Sequence, residues 1–278
     1  MSRLSFGLVL LVGILAGGLG VSLLNRGPAP IAANDVRGIV SEMLAADASG
    51  KALDPAELNL LIEQYLMDDP AILDRMAAKL SVAKRAAEQS ERVALLQANH
   101  EAIYNDPANV ILGNPNGDVT LVEMFDYNCG YCRRALPDLA TLIAEDPNLK
   151  VVLKEFPILS DGSVEAAKIG FLVAENDALN YWDFHQRLFS ARGQVDANAA
   201  LAAAEAVGGN RVAMMIDMNG QKASDAIERS YDLATALKIS GTPTFIIGDE
   251  LIPGAVGVDA LRTKIANMRA CGSTDCDA

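Results

Sequence analysis

Four cysteines fall into two close pairs, Cys129-Gly130-Tyr131-Cys132 and Cys271-Gly-Ser-Thr-Asp-Cys276. Two thiols three residues apart can close a small disulfide ring or hold a soft metal ion, and the thiolate is the form that does either. The first pair follows Leu121, Val122, Met124 and Phe125, a near-continuous apolar run that suits a central strand buried on both faces. Asp126 to Asn128 supply a turn, and Asn128 is a competent N-cap for a helix starting near Cys129 and running to about Glu145. A thiol at a helix start faces unpaired backbone N–H groups and the positive end of the helix dipole, which ease its ionisation. Cys129 is therefore the more acidic sulfur, and Cys132 lies one turn deeper. Disulfide exchange and metal binding both remain open at this point.

A second stretch bears on the choice. Ile239-Ser-Gly-Thr242-Pro243 leads into the apolar strand Thr244–Ile247. Proline at the entry of a core strand is unusual, because it cannot donate to the ladder. A cis Thr242–Pro243 bond in a tight turn accounts for it. Glu123, set in the apolar strand six residues before Cys129, also needs a reason, since a buried carboxylate is costly unless paired or protonated. Either it relays the proton of Cys132, or it pairs with Lys154 or another polar neighbour. Arg133 and Arg134 add positive charge near the sulfur, although a solvated helix face is the plainer reading of them. His100 and His185 have no ligand spacing to a cysteine and read as packing or surface residues. No phosphate loop and no Ser/His/Asp arrangement is present.

These motifs need a scaffold, and 278 residues suffice for one sizeable core plus an accessory region. A net charge of −13 argues against nucleic acid as a partner, because phosphate binding needs a basic surface. Met1-Ser-Arg3 is a short basic head on the uncharged run Leu4–Leu24, which reads as an export segment. The run is about long enough to span a bilayer, which favours an uncleaved anchor, while Ala16-Gly-Gly18 offers a cleavage site. Either way the remainder is expected outside the cytoplasm, in the periplasm. Gly27–Ala33 reads as a linker, ending an export or anchor segment of residues 1–33.

Residues 34–105 read as helical. Asp35–Ala48 makes a short helix, and a Leu-Asp54-Pro55 start precedes an apolar face of Leu58, Leu61, Ile62, Tyr65 and Leu66. The pattern restarts at Asp69-Pro70 and continues through Leu73, Met76, Ala77, Leu80 and Ala83 to Val93, Leu96 and Ile103. This stripe either packs on the domain that follows or is exposed in a single chain and covered in an oligomer, and the second is the sharper expectation. From residue 106 a short edge strand, Val110–Leu112, precedes the Asn114–Gly117 turn and the cysteine-bearing strand and helix. The strand Val151–Phe156 follows, then an alanine-rich helical stretch over about 163–237. The strands Thr244–Ile247 and Leu251–Pro253 and a helix Val258–Arg269 close a domain of residues 106–270. In the tail 271–278, Cys271 and Cys276 are expected to form a small ring, in keeping with an oxidising compartment.

Strand–CxxC–helix followed by Gly-Thr-Pro–strand resembles the thioredoxin superfamily. Asn-His-Glu-Ala-Ile-Tyr, Leu-Val-Glu-Met-Phe-Asp-Tyr-Asn-Cys-Gly-Tyr-Cys and Leu-Lys-Glu-Phe-Pro narrow the resemblance to bacterial DsbA/ScsC/Com1-type thiol–disulfide oxidoreductases over about Leu58 to Arg269. The resemblance implies an α/β thioredoxin-like fold with a DsbA-like helical insertion, preceded by an N-terminal α-helical region. It implies Cys129 as attacking and Cys132 as resolving thiol, Pro243 as the cis-proline beside them and Glu123 as the buried acid beneath. Thr242, Gly130 and Tyr131 become the client-contacting surface, and no cofactor is required. Implied partners are unfolded or misbridged exported proteins and a membrane redox partner of DsbB-like or DsbD-like type. In ScsC-like relatives the helical region assembles trimers, so a homo-oligomer is implied here. The dipeptide Gly130-Tyr131 departs from the Pro-His of strongly oxidising DsbA, and isomerase or reductase is favoured slightly over oxidase. The reading from another class is a periplasmic protein whose dithiol binds Cu(I), for which thiolates are suited.

Overall fold

The computed structural model describes residues 54–276, so the export segment, the linker and the helix expected at Asp35–Ala48 lie outside it. Among the described residues no helix is long and apolar enough to cross a membrane. The chain divides into two compact units, meeting in sequence at Met76 and Ala77.

In the first unit, helix α1 (Pro55–Asp68) begins at Asp54, whose side chain accepts from the Ala56 N–H, with proline in the first turn. Leu58, Leu60, Ile62, Tyr65 and Met67 of α1 are exposed, as are Leu73 and Met76 at the start of α2 (Ala71–Ala98). The side chain of Leu61 lies outside the described set.

The second unit is built on a mixed five-stranded sheet of order β1-β3-β2-β4-β5. The strands are β1 (Val110–Gly113), β2 (Val119–Phe125), β3 (Leu149–Glu155), β4 (Thr244–Ile247) and β5 (Glu250–Pro253). The central β2 pairs parallel with β3, from Val119 opposite Leu149 to Phe125 opposite Glu155, and antiparallel with β4. The β2–β3 crossover is α4 (Gly130–Glu145), the single-helix connection that parallel neighbours require. Central position makes β2 hydrophobic on both faces. Leu121 and Phe125 join the larger core with Leu153, Phe245 and Leu139 of α4. Val122 points the other way, onto Leu96, Ile103, Leu233 and Leu237.

That second cluster divides the N-terminal apolar stripe. Leu96 near the end of α2 and Ile103 of α3 (His100–Tyr104) are core residues of the sheet, whereas Leu80 and Val82 are exposed. The helical pattern is also broken at Asn99, whose amide donates to Leu95 O at 2.8 Å.

Between β3 and β4 lie α5 (Asp161–Ala174), α6 (Tyr181–Phe189), α7 (Ala197–Ala206), α8 (Arg211–Asp217) and α9 (Gln221–Ala236). Within this expected helical stretch α8 is a seven-residue helix capped by Asn210 and leaving Val212, Met215 and Ile216 exposed. The final helix α10 (Val258–Cys271) runs two residues past the expected stop at Arg269 and is capped by Gly272 in the left-handed region with φ 78°. Strand β3 starts at Leu149 rather than Val151, because Val119 and Thr120 give Leu149 and Lys150 partners that an apolar pattern does not reveal.

Gly117, in the β1–β2 turn, lies so close to the start of β3 that an added Cβ would stand 2.5 Å from Lys150 N and 2.6 Å from Asn148 O. Both are backbone atoms and cannot swing away. Gly117→Ala should lower stability by about 1–3 kcal/mol, the usual range for forced overpacking. A chemical denaturation midpoint equal to wild type would show that the turn yields freely.

Candidate active site

Strand β2 ends at Phe125, and the chain turns through Asp126, Tyr127 and Asn128 into α4. Asp126 holds the turn: its carboxylate accepts from the N–H groups of Asn128 at 2.7 Å, Ile158 at 2.8 Å and Leu159 at 2.9 Å. Its backbone oxygen accepts from Cys129 N at 2.9 Å. Asn128 is not the N-cap. Its amide donates to Ser163 Oγ and Val195 O, both at 2.9 Å, while its oxygen accepts from Val195 N at 2.7 Å. Cys129 is the cap: its Sγ accepts from Cys132 N at 3.4 Å, the place an Asx or Ser oxygen fills elsewhere. The turn is one residue longer than expected because Asn128 is drawn into the insertion.

Both thiols are free and buried, Cys129 with 5% and Cys132 with 1% of its surface exposed. Tyr131 between them is exposed at 59% and stacks under Arg134, whose guanidinium carbon stands 4.1 Å from the ring centroid. Gly130 has no neighbour within 4 Å of a built Cβ and leaves the approach open.

Thr242–Pro243 is cis. Its loop meets the dithiol, with Thr242 O 3.2 Å from Cys129 Sγ, a bond the sulfur donates only while it carries its proton. Pro243 O in turn accepts from Gly254 N at 2.7 Å, and Thr244 Oγ1 donates to Gly241 O at 2.8 Å. A groove of about 370 Å³ opens beside this loop, lined among others by Arg92, Ile239, Thr242, Pro243, Leu251 and Pro253.

The two sulfurs differ sharply in acidity. Cys129 is lowered to about 5, first because Cys132 donates its S–H to it, and further by Thr242 and the backbone N–H groups of Cys132 and Tyr131, against the cost of burial. Burial pushes Cys132 well above the usual thiol range, helped by its bond to Cys129 and by the charge of Glu123. Glu123, 3% exposed, is raised to about 8 by burial and by the negative sulfur of Cys129. It does not pair with Lys154. In the parallel ladder Glu123 stands opposite Leu153, and Lys154 opposite Met124, so their side chains leave opposite faces of the sheet. Lys154 donates instead to Ala102 O at 2.9 Å and Asn109 Oδ1 at 2.5 Å.

Tyr127, Tyr181 and Glu155, which sequence reading did not single out, complete the surroundings together with His185. Tyr127 OH lies 3.2 Å from Tyr181 OH and 3.1 Å from His185 Nδ1. Tyr181 OH donates to Glu155 Oε1 at 3.4 Å. His185 is lowered by burial to about 3, and burial raises Glu155 far above the carboxylate range, so both are neutral near pH 7. His185 is thus a packing residue, ringed by Phe125 and Phe189. The only sequence signal for this group was a polar residue recurring on an otherwise apolar face. Cys271, the last residue of α10, forms a disulfide with Cys276, and Thr274 between them donates to Asp249 of the β4–β5 turn. Since β4 starts next to Thr242, that turn lies at the strand's far end, and the two cysteine pairs are apart. Among the described residues no group of three or more His, Cys, Asp or Glu is placed to hold a metal ion.

With this geometry in hand, comparison with known proteins is direct. A family described as DSBA-like thioredoxin domain matches residues 120–266. A thioredoxin-like oxidoreductase from Silicibacter pomeroyi is 37% identical, with 62% of this chain and 99% of that one covered and a TM-score of 0.59. A linker-deletion form of Proteus mirabilis ScsC is 27% identical, covering 81% of this chain and 99% of that one at a TM-score of 0.60. A curated Na(+)/H(+) antiporter NhaA 1 of Salinispora arenicola is 24% identical over 227 residues, 80% of this chain but 34% of that protein. This chain therefore spans about a third of the length of that curated relative.

Two outcomes follow from the acidities. Iodoacetamide should alkylate Cys129 with a midpoint near pH 5 and spare Cys132 through neutral pH, as read by peptide mass spectrometry; a midpoint near 9 would remove the thiolate argument. For Glu123 the folded value of about 8 exceeds the ordinary 4.5, so the folded chain holds a proton that the unfolded chain releases between those limits. Stability is then lost as pH rises through that window, by at most roughly 5 kcal/mol. Glu123→Gln should flatten this loss between pH 5 and 9 in denaturation curves.

Proposed function

The chain belongs to the DSBA-like thioredoxin domain family, and from that premise we propose that it exchanges disulfides with exported proteins through Cys129 and Cys132. The observation that carries the reading is the seat of Cys129 Sγ, between the N–H groups opening α4 and the Thr242 carbonyl of the cis-proline loop. A sulfur ionised at neutral pH and reachable beside an open groove is a nucleophile for disulfides.

In the reducing direction the Cys129 thiolate attacks a client disulfide sulfur. A Cys129–client bond forms, and the client's other sulfur leaves as thiolate. Cys132 then gives up its proton and attacks Cys129 Sγ. The Cys129–Cys132 disulfide closes, the client's second thiolate leaves, and two electrons have passed to the client. Glu123, on the same sheet face as the sulfurs, is the proton acceptor for Cys132 on the inner side in its ionised form, whose fraction grows as pH rises towards about 8. Thr242, Gly130 and Tyr131 supply the client-facing surface, and Cys271–Cys276 is a structural clip.

Isomerase or reductase action is favoured over oxidase action, in the periplasm and with a membrane redox partner. The support is the exposed apolar side chains of Leu58, Ile62, Tyr65, Leu73 and Met76, which a second and third copy would cover, together with the similarity to ScsC across 81% of the chain. Several dithiols facing one client suit bond reshuffling. The region through Lys84 is thus the oligomerisation region, while Leu96 and Ile103 belong to the catalytic core.

Cys129→Ser should abolish insulin reduction, and Cys132→Ser should trap a mixed disulfide visible on a non-reducing gel. Full-speed insulin reduction by Cys129→Ser would end this reading. In Glu123→Gln the inflection near pH 8 should disappear from the rate at which the mixed disulfide resolves, and an unchanged profile would discard the relay. Light scattering should find an oligomer for the mature chain and a monomer for a form starting near Lys84, which keeps Leu96 and Ile103. Equal assembly states would refute the oligomer.

A further inference from the structure

The arginines of this acidic chain are not distributed evenly between paired and unpaired states. Among the described residues, Arg75, Arg187, Arg211, Arg229, Arg262 and Arg269 each have a carboxylate partner. Arg85 donates to Ser81 Oγ. Arg92, Arg133, Arg134 and Arg192 have no carboxylate partner among the described residues; Arg133 and Arg134 follow the dithiol in α4, and Arg92 lines the groove of the cis-proline loop that meets it. Arg133 and Arg134 follow Cys132 directly in α4, both exposed, and Arg134 extends over the Tyr131 ring. Arg92, half-buried on α2, lines the groove beside Thr242 and Pro243. Arg192 lies in the loop three residues before Val195, which is bonded to Asn128.

The acids near this rim are occupied or distant. Asp126 is buried and spent on the three N–H groups it accepts. Glu91 is engaged by Lys238 at 2.7 Å, the lysine itself lining the groove. The next acid along α4 is Asp138, six residues beyond Cys132 and close enough to Asp259 to feel its charge. Asp161, Glu165 and Asp196 stand on the insertion side, where Asp196 caps α7 and Glu165 accepts from Ala197 N. The rim from Arg134 across Tyr131 to Arg92 is therefore basic on a molecule whose net charge is −13.

Unpaired guanidiniums fixed by a ring or by the wall of a groove have not yet met their anion. We propose that this rim selects extended polypeptide segments carrying carboxylates beside the reacting cysteine. The selection rests on the disulfide-exchange reading above. Charge complementarity identifies the occupant: the rim attracts carboxylates, while the net acidity of the molecule repels them elsewhere. Arrangements of this kind act mainly on encounter rate, and salt screens them.

The test uses the full mature protein in its reduced form and a matched set of disulfide-linked peptides. Members differ only in whether the residues flanking the cysteine are Asp, Asn or Lys, and the neutral 2-hydroxyethyl disulfide serves as reference. At low ionic strength the Asp peptide should react on the order of tenfold faster than the Asn peptide, and the Lys peptide slowest. The Asp-to-Asn ratio should shrink to near one at high salt and in the Arg92→Gln/Arg133→Gln/Arg134→Gln variant, ratios being read so that any general change in reactivity cancels. If wild type reduces 2-hydroxyethyl disulfide but the Asp-to-Asn ratio stays within twofold at low salt, or favours Lys, the selection is refuted and the exchange reading stands. If 2-hydroxyethyl disulfide is not reduced at all, the exchange reading fails and takes the selection with it.

Discussion

The structure depends on one unequal sharing of a proton between two sulfurs. Cys129 caps α4 and collects the hydrogen bonds that an anion needs, from the Cys132 thiol and from backbone N–H groups. Cys132, one turn deeper, keeps its proton because burial penalises a second anion there and because that proton is shared with the Cys129 sulfur. At the mouth a sulfur is ready to attack, and beneath it a sulfur is held back until the first has been consumed. Neither property belongs to cysteine as such. Both follow from where β2 ends and α4 begins, since Cys129 caps the helix only while it starts at Gly130.

That start is fixed by polar side chains rather than by the apolar core. Asp126 binds the turn to the segment after β3, and Asn128 binds it to Ser163 and Val195 of the insertion. Four chain segments thus converge below Cys129, and the cis-proline loop closes the fifth side through Thr242 O. The cost of burying Asp126 is offset by the three N–H groups it receives, consistent with the rule that buried charge persists only where hydrogen bonds satisfy it. The pinning is also why the turn overruns the sequence expectation: Asn128 has a better use than capping.

Much of this architecture was legible in the chain. Uninterrupted apolar residues marked β2 as central, Gly-Thr-Pro before Thr244 marked the loop, and the Cys129–Cys132 spacing marked the helix start. What stayed hidden depended on long-range partners. Lys154 looked like a neighbour for Glu123 until the parallel register set them on opposite faces, something no single strand discloses. Leu96 and Ile103 shared a helical period with Leu73 and Leu80, yet the former two are core and the latter exposed, because periodicity reports an apolar face but not what covers it. Helix α8 falls within the stretch expected to be helical, but seven residues are too few for a period to mark its bounds. Tyr127, Tyr181, His185 and Glu155 come from three separate elements and meet only in the fold.

That last group shows why the helical insertion is more than a cover. Tyr127 follows β2 directly and is fully enclosed, so its hydroxyl must find partners inside the protein. It finds them on α6, in Tyr181 and His185, while Tyr181 reaches back to Glu155 at the end of β3. His185 is neutral because burial disfavours its cation, and Glu155 is protonated because burial and Asp126 disfavour its anion. The cluster therefore carries no charge to compete with Cys129 for the donors around it. Had either group been ionised, its field would act on the sulfur through a low-dielectric interior, where charges are felt most strongly. The insertion thus contributes a neutral, hydrogen-bonded wall beside the thiolate that does the chemistry.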